Sequence, residues 1–258
     1  MTEGRVTQRE NQSVRKAATL LRAAAEIGTS ATVSALAREA GLPRATALRM
    51  IESLVAERLL ARLPDDRIVL GPGLQRLARS TNVTELLVDA ARAPMEVLAE
   101  QVRESVTLTV MLPDGSLSLA RQVDGPHLLG LTNWVGRVFD WHATSAGKLA
   151  LAHAEPARIE AMLAGPLRQV ASRTITDPAE LRNELAAIRR RGWSQIEDEI
   201  EDGLAAVSVG LFLDDTLIGS LNISGPTARF TLKARKASLP PLRQACALVE
   251  LNLGATPV

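Results

Sequence analysis

The chain has 258 residues, 46% of them hydrophobic and 23% charged, with 30 Lys and Arg set against 29 Asp and Glu. This composition excludes disordered and fibrous classes, and the length fits two modest domains. No apolar run reaches the roughly 18 residues of a bilayer span, the polar start MTEGRVTQRENQS is unlike a signal or transit peptide, and the single cysteine, Cys246, excludes an intrachain disulfide and any thiolate-clustered metal site.

A cytoplasmic protein is therefore expected. The small net charge hides an asymmetry, because residues 1–80 hold 13 Lys and Arg against 8 Asp and Glu. The basic first third points to a polyanionic partner, and the acidic remainder does not.

In chain order, Ser13 is placed to cap a helix through VRKAATLLRAAAEI, with Ala17, Leu20, Leu21 and Ala24 on one face and Gly28 as its stop. Thr32 is placed to cap VSALAREA. Gly41 then breaks the pattern, and Pro43 is expected at the first position of a third helix, PRATALRMIESLVAERL. LARLPDDRIVLGPG reads as two short strands about a Pro-Asp-Asp turn. A linker follows, then a helix over 85–103 with Pro94 predicting a kink or break. SVTLTVML and SLSLARQV are strands, and ATSAGKLALAHA, PARIEAMLA and DPAELRNELAAIRRRG are helices. WSQIEDEI, AAVSVGLFL and LIGSLNIS return to strand, and the final helical stretch is expected to be interrupted at Pro240-Pro241. Strand pairs flanked by helices predict an α+β domain after the small helical one.

SALAREAGLPRATALRMI meets the steric demands of a helix-turn-helix. Small Ala37 allows close helix approach, Gly41 takes the turn, and Leu36, Ala40, Met50 and Ile51 lie between the helices. The outer face carries Arg44, Ala45, Thr46 and Arg49, suited to base edges and phosphates, with Ser34 on the preceding helix. Arg62 and Arg67 flank the hairpin, where a wing would meet the DNA backbone. A three-helix core fragment with a solvated charged face would show the same periodicity. The turn, the hairpin and the local charge favour the DNA reader.

SVRKAATLLRAAAE, LAREAGLPRATALRMIESLVAERLL and IVLGPGLQRLA, followed by HATSAGKLALA, TITDPAELRNELAAIRRRGW, EDEIEDGLAAVSVGLF and NISGPTARF, resemble IclR-type bacterial transcription regulators from residue 13 to about 253. The resemblance implies a winged helix-turn-helix over 1–71, a linker helix over 72–83 and a GAF-like α/β effector-binding domain over 84–258. It also implies a homodimer or dimer of dimers on a double-stranded DNA operator, with a small-molecule effector. In the family pattern, Ser145 and Ala146 match helix-start positions that touch effector, and Ala206, Asn222 and Ser224 match the strands facing them. The chain departs from that pattern where some members have cysteine (Ala206), serine (Asn222), an acid (Ile196) or a proline (Asp140).

WHATSAGKL, residues 141–149, is the most chemically loaded stretch. A phosphate loop requires glycine five positions before Gly147, where His142 stands, and Ser or Thr after the lysine, where Leu149 stands. Ser145 and Lys148 match S-x-x-K, but neither S-D-N nor K-T-G occurs. None of the three histidines sits in a recognised triad arrangement. The backbone supplies another reading. Thr144 or Ser145 caps the helix, its first-turn N–H groups stay open beside Gly147, and an anionic group binds there despite Lys148 opposing the dipole. The alternative is a plain capped helix with Lys148 in solvent. Trp134, Phe139 and Trp141 lead into this helix, as pocket wall or as core.

EDEIED, residues 197–202, lacks oxygen ligands at the calcium-loop positions held by Ile200 and Val209, so a solvated loop is expected, with Glu197 a candidate to face the pocket. No metal or cofactor is predicted. The favoured function is a ligand-controlled, sequence-specific DNA-binding regulator. The rivals are an S-x-x-K hydrolase on the C-terminal domain and a DNA-organising protein without effector.

Overall fold

The computed structural model describes residues 11–79, 82–112, 114–127, 134–135 and 140–254. The chain divides into two compact units, Met1–Asn82 and Val83–Val258.

The first unit opens with α1 (Gln12–Ile27). Its cap is Asn11, whose side chain accepts from the amides of Ser13 and Val14, so the cap lies two residues before the expected Ser13. Thr32 caps α2 (Val33–Glu39) through the Ala35 amide. Gly41, at φ 61°, turns the chain into α3 (Arg44–Ala56), and Pro43 is the extended residue before that helix rather than its first member. Leu20 and Ala24 of α1, Leu36 and Ala37 of α2, and Ala47, Ile51 and Leu54 of α3 form one buried core. Strands β1 (Leu60–Arg62) and β2 (Ile68–Leu70) pair antiparallel, and the Ile68 amide bonds the Ala31 carbonyl, fastening the hairpin beneath the helices. A Cβ at Gly71 or Gly73 would fall on the Arg58 carbonyl, so only glycine lets the chain leave the hairpin here into α4 (Pro72–Arg79).

The second unit begins with α5 (Val83–Val102), which runs unbroken through buried Pro94. Strands β3 (Ser105–Met111), β4 (Leu117–Val123), β5 (Trp193–Glu197), β6 (Leu204–Leu213) and β7 (Thr216–Pro226) form an antiparallel sheet in the order β4-β3-β7-β6-β5. The last helix, α9 (Leu232–Asn252), also runs unbroken, with Pro240 and Pro241 inside it. Neither helix breaks at its prolines, and for one reason. Leu87, Met95 and Leu98 of α5 and Leu242, Cys246 and Val249 of α9 are buried in one core with the sheet, and each fully buried side chain contributes about 1.5–3 kcal/mol. That packing offsets the roughly 3 kcal/mol cost of an interior proline.

Alternation along the strands gives the sheet two chemically distinct faces. Val106, Leu108 and Val110, Leu221 and Ile223, and Ala205, Val207, Val209 and Leu211 join the α5–α9 core. The intervening residues Ser105, Thr107, Thr109, Ser220, Asn222, Ser224, Ala206 and Ser208 form the other face, which meets α6 (Ser145–Ala152). Behind α6, α7 (Pro156–Leu163) and α8 (Pro178–Arg191) enclose a smaller core of Leu149, Leu151, Leu163, Leu181 and Ile188.

Candidate functional site

On the first unit, the exposed side of α3 carries Arg44, Ala45 and Arg49, with Thr46 half-buried beside them and Ser34 exposed on α2. Ala47 on the opposite side is fully buried, so the helix is pinned by its inner residues while its outer residues stay free. Arg44 and Arg49 form no ion pair among the described residues, which leaves two cations available to an anionic partner. The hairpin cations differ. Arg62 pairs with Asp66 at 3.1 Å. Arg67 is half-buried, pairs with Asp65 at 2.6 Å and donates to the Thr29 carbonyl at 2.8 Å. Arg67 therefore ties the hairpin to the α1–α2 connection, a structural duty that the sequence did not reveal.

On the second unit, a cavity of about 320 Å³ lies between the polar face of the sheet and the start of α6. Trp134, Trp141, Ser145, Ala146, Ala206, Asn222 and Ser224 all line it, so the structure gathers seven of the ten expected effector residues. Phe139 lies outside the described residues. Two expectations are corrected.

Gly147 is buried and does not line the cavity. A Cβ there would strike the Trp141 carbonyl and the Thr144 hydroxyl, so its smallness serves close backbone packing rather than ligand approach. Glu197 points to the other side of β5, because strand alternation aims Ile196 inward and Glu197 outward. Its carboxylate bonds the buried Arg235 guanidinium and pairs with Arg173 at 2.9 Å. Those contacts, with Arg235 foremost, hold its pKa below the ordinary carboxylate value.

The sequence reading missed Thr107 and Thr109 of β3, Ser116, Ser118 and Leu119 of the β3–β4 hairpin, and Ile200 and Leu204 after β5, all of which line the cavity. The period-two pattern of SVTLTVML contained the signal for the threonines, since its valines and leucine must share the opposite face.

Polar residues of the sheet are tied together across the strands. Asn222 donates to the Thr107 carbonyl and hydroxyl and to the Thr109 hydroxyl, and accepts from Ser220 at 2.9 Å. Its side-chain N–H donors are thereby all engaged, which makes Asn222 a brace for the two threonines. The Ser208 hydroxyl bonds the Ser145 hydroxyl at 2.7 Å, and the Ser194 hydroxyl donates to the Ser145 carbonyl, anchoring the first turn of α6 to the sheet. Thr144 caps that turn by accepting from the Gly147 amide at 3.0 Å. The amides of Ser145 and Ala146 have no hydrogen-bond partner among the described residues, and both residues line the cavity. Two open N–H donors at a helix start are chemically able to receive an oxyanion.

Lys148, expected in solvent or beside a bound anion, is 1% exposed and ion-paired to Glu199. The Glu199 carboxylate offsets both the lysine charge and its unfavourable place in the first turn. Burial pushes the Glu199 pKa up, and Lys148 opposes that shift without cancelling it. EDEIED is therefore not a purely solvated loop. Glu199 anchors it inside, and the Thr174 hydroxyl donates to the Glu199 carbonyl at 2.6 Å.

A winged helix-turn-helix with free cations on its outer helix, in one chain with an α/β unit that holds a ligand-sized cavity, is the plan of a DNA-binding transcription regulator. Comparison with known proteins identifies which kind. The family described as bacterial transcriptional regulator IclR C-terminal matches residues 78–250, and the IclR helix-turn-helix domain matches residues 13–64. The chain belongs to the IclR family of bacterial transcriptional regulators.

It is 31% identical to the HTH-type transcriptional regulator TtgV of Pseudomonas putida, over 84% of this chain and 83% of that protein. It is 25% identical to the transcriptional repressor IclR of Escherichia coli, over 85% and 82%. Among solved structures, an IclR-type regulator from Silicibacter matches with TM-score 0.63 and 27% identity, over 95% of this chain and 97% of that one. An IclR homolog from Microbacterium hydrocarbonoxydans, complexed with 4-hydroxybenzoate, matches with TM-score 0.61 and 28% identity, over 95% and 100%. These relatives are regulators by name, which favours the DNA-binding reading over the S-x-x-K hydrolase.

Proposed function

We propose that this regulator acts as a cytoplasmic homodimer, or dimer of dimers, that places two α3 helices in successive major grooves of a two-fold operator. Residues 72–83 serve as the linker between a DNA-binding domain over 1–71 and an effector domain over 84–258. Arg44, Ala45, Thr46 and Arg49 meet base edges and phosphates, with Ser34, Arg62 and Arg67 at the backbone. For Arg67 that role requires it to reach DNA without leaving Asp65 and Thr29. The effector is a small carboxylate or aromatic acid in the 320 Å³ cavity, its acid group on the Ser145 and Ala146 amides and its body against Trp134 and Trp141. The ligand regulates by binding one arrangement of the two DNA heads better than the other.

The observation that carries this reading is the pair of open amides on two residues that line a walled cavity. A relative complexed with 4-hydroxybenzoate supports the ligand class. The DNA half is tested with an operator selected by the wild-type protein from random duplexes. The double variant Arg44→Ala, Arg49→Ala should lose retardation of that duplex while its Tm stays within about 2 °C of wild type, because both side chains are exposed. Unchanged affinity would remove α3 as the recognition helix. The ligand half is tested by a thermal-shift panel of aromatic and aliphatic acids that includes 4-hydroxybenzoate. A ligand at 100 times its Kd adds about 2.7 kcal/mol of stability.

A further inference from the structure

One exposed arginine outside the cavity touches two separate parts of its wall. Arg158, in the first turn of α7, lays its guanidinium over the Trp141 ring, 4.5 Å from the ring centroid. The same guanidinium donates to the Gly115 carbonyl at 2.8 Å. Gly115 sits in the turn between β3 and β4 at φ 78°, and a Cβ there would collide with the Arg158 Nη1. The guanidinium therefore fits flat against a glycine that leaves it room.

The two contacts join two separate segments of the cavity wall. Trp141 is a wall residue on the α6 side, and Leu112, Ser116 and Leu117, flanking the Gly115 turn, are wall residues on the hairpin side. Among the described residues β4 has a strand partner, β3, on one side only. No ion pair competes for the Arg158 guanidinium among the described residues. Cation–π stacking and a charge-assisted hydrogen bond, both made by one planar group, fix its position more firmly than either would alone.

We propose that Arg158 is a positioning residue for effector binding: it latches the β3–β4 hairpin turn to Trp141 and so controls how readily ligands pass the cavity mouth. The inference rests on the reading of this cavity as the effector site. Arginine suits the task where lysine would not, because its fork can bond the carbonyl while its flat face covers the indole.

Three variants test the latch in the full-length protein. Arg158→Ala removes both contacts, Arg158→Lys keeps the charge but loses the fork, and Gly115→Ala displaces the guanidinium from the other side. Amide hydrogen exchange over residues 114–117, measured without ligand, should quicken roughly tenfold in Arg158→Ala and Gly115→Ala. In a background carrying Trp134→Phe and Trp193→Phe, acrylamide should quench Trp141 more strongly in those two variants. Stopped-flow release of anilinonaphthalene sulfonate and of 4-hydroxybenzoate should be about tenfold faster in Arg158→Ala and intermediate in Arg158→Lys, with Tm unchanged for the exposed Arg158 variants.

Exchange and quenching like those of wild type would overturn the latch itself. Faster exchange with unchanged release would leave Arg158 a structural tie and overturn its control of entry. Failure of both probes and of every panel acid to bind the wild-type protein would remove the effector-site reading, and the latch's role with it.

Discussion

The open amides of Ser145 and Ala146 make a charge test possible at a position where stability and ligand binding should move in opposite directions. Ala146 lies in the first turn of α6 and lines the cavity. A carboxylate placed there by Ala146→Asp is favoured by the helix dipole by about 0.3–1 kcal/mol. It would also occupy the same donors that an acid ligand needs. Two carboxylates about 4 Å apart at an effective dielectric near 20 repel by roughly 4 kcal/mol, which corresponds to an affinity loss on the order of 10³-fold. The neutral variant Ala146→Asn has nearly the same shape and lacks the charge. Isothermal titration with the tightest acid from the panel should therefore show Ala146→Asn within about tenfold of wild type and Ala146→Asp without measurable binding. The Tm of Ala146→Asp should equal that of wild type or exceed it by up to about 3 °C. Equal acid affinity in the two variants would show that the acid group does not sit at the α6 start.

Further outcomes follow from the buried charges. Lys148→Met leaves Glu199 in its buried site without a partner and should cost about 3–5 kcal/mol, read by urea unfolding, whereas Lys148→Met with Glu199→Leu should recover most of that loss. Equal stability of the single and double variants would contradict the pairing. Glu197 has a folded-state pKa below its ordinary value of 4.5, so its contribution is complete above that pH and is lost as pH falls through the folded pKa. Glu197→Gln should flatten the acid limb of the stability profile below about pH 4.5 without altering acid-ligand affinity. A parallel loss of ligand binding would return Glu197 to the cavity.

Much of the molecule is decided locally and can be read from neighbouring residues. Thr32 and Asp177 cap the helices they precede because the competition for first-turn amides involves only residues two or three apart. Gly41 and Gly192 take the left-handed positions that end one helix and start the next segment. Alternation in β3, β6 and β7 separates an aliphatic face from a hydroxyl face before any partner strand is known. The cavity-lining positions Ser145, Ala146, Ala206, Asn222 and Ser224 were implied by the family resemblance, and side-chain direction on regular elements, which repeats with the backbone, puts Ala206, Asn222 and Ser224 on the sheet face that meets α6.

What distant contacts decide could not be read that way. Pro94, Pro240 and Pro241 look like helix breaks in sequence, and only the core between α5, α9 and the sheet keeps both helices whole. Glu197, Lys148 and Arg67 have identical chemistry in solvent, in a cavity or in an ion pair. Arg235, Glu199 and Thr29, which lie 38, 51 and 38 residues from them, settle which it is. Capping and alternation act within a few residues, whereas charge compensation and packing act across whatever the folded chain brings within a few ångströms, so the tertiary structure alone assigns the charged residues their duties.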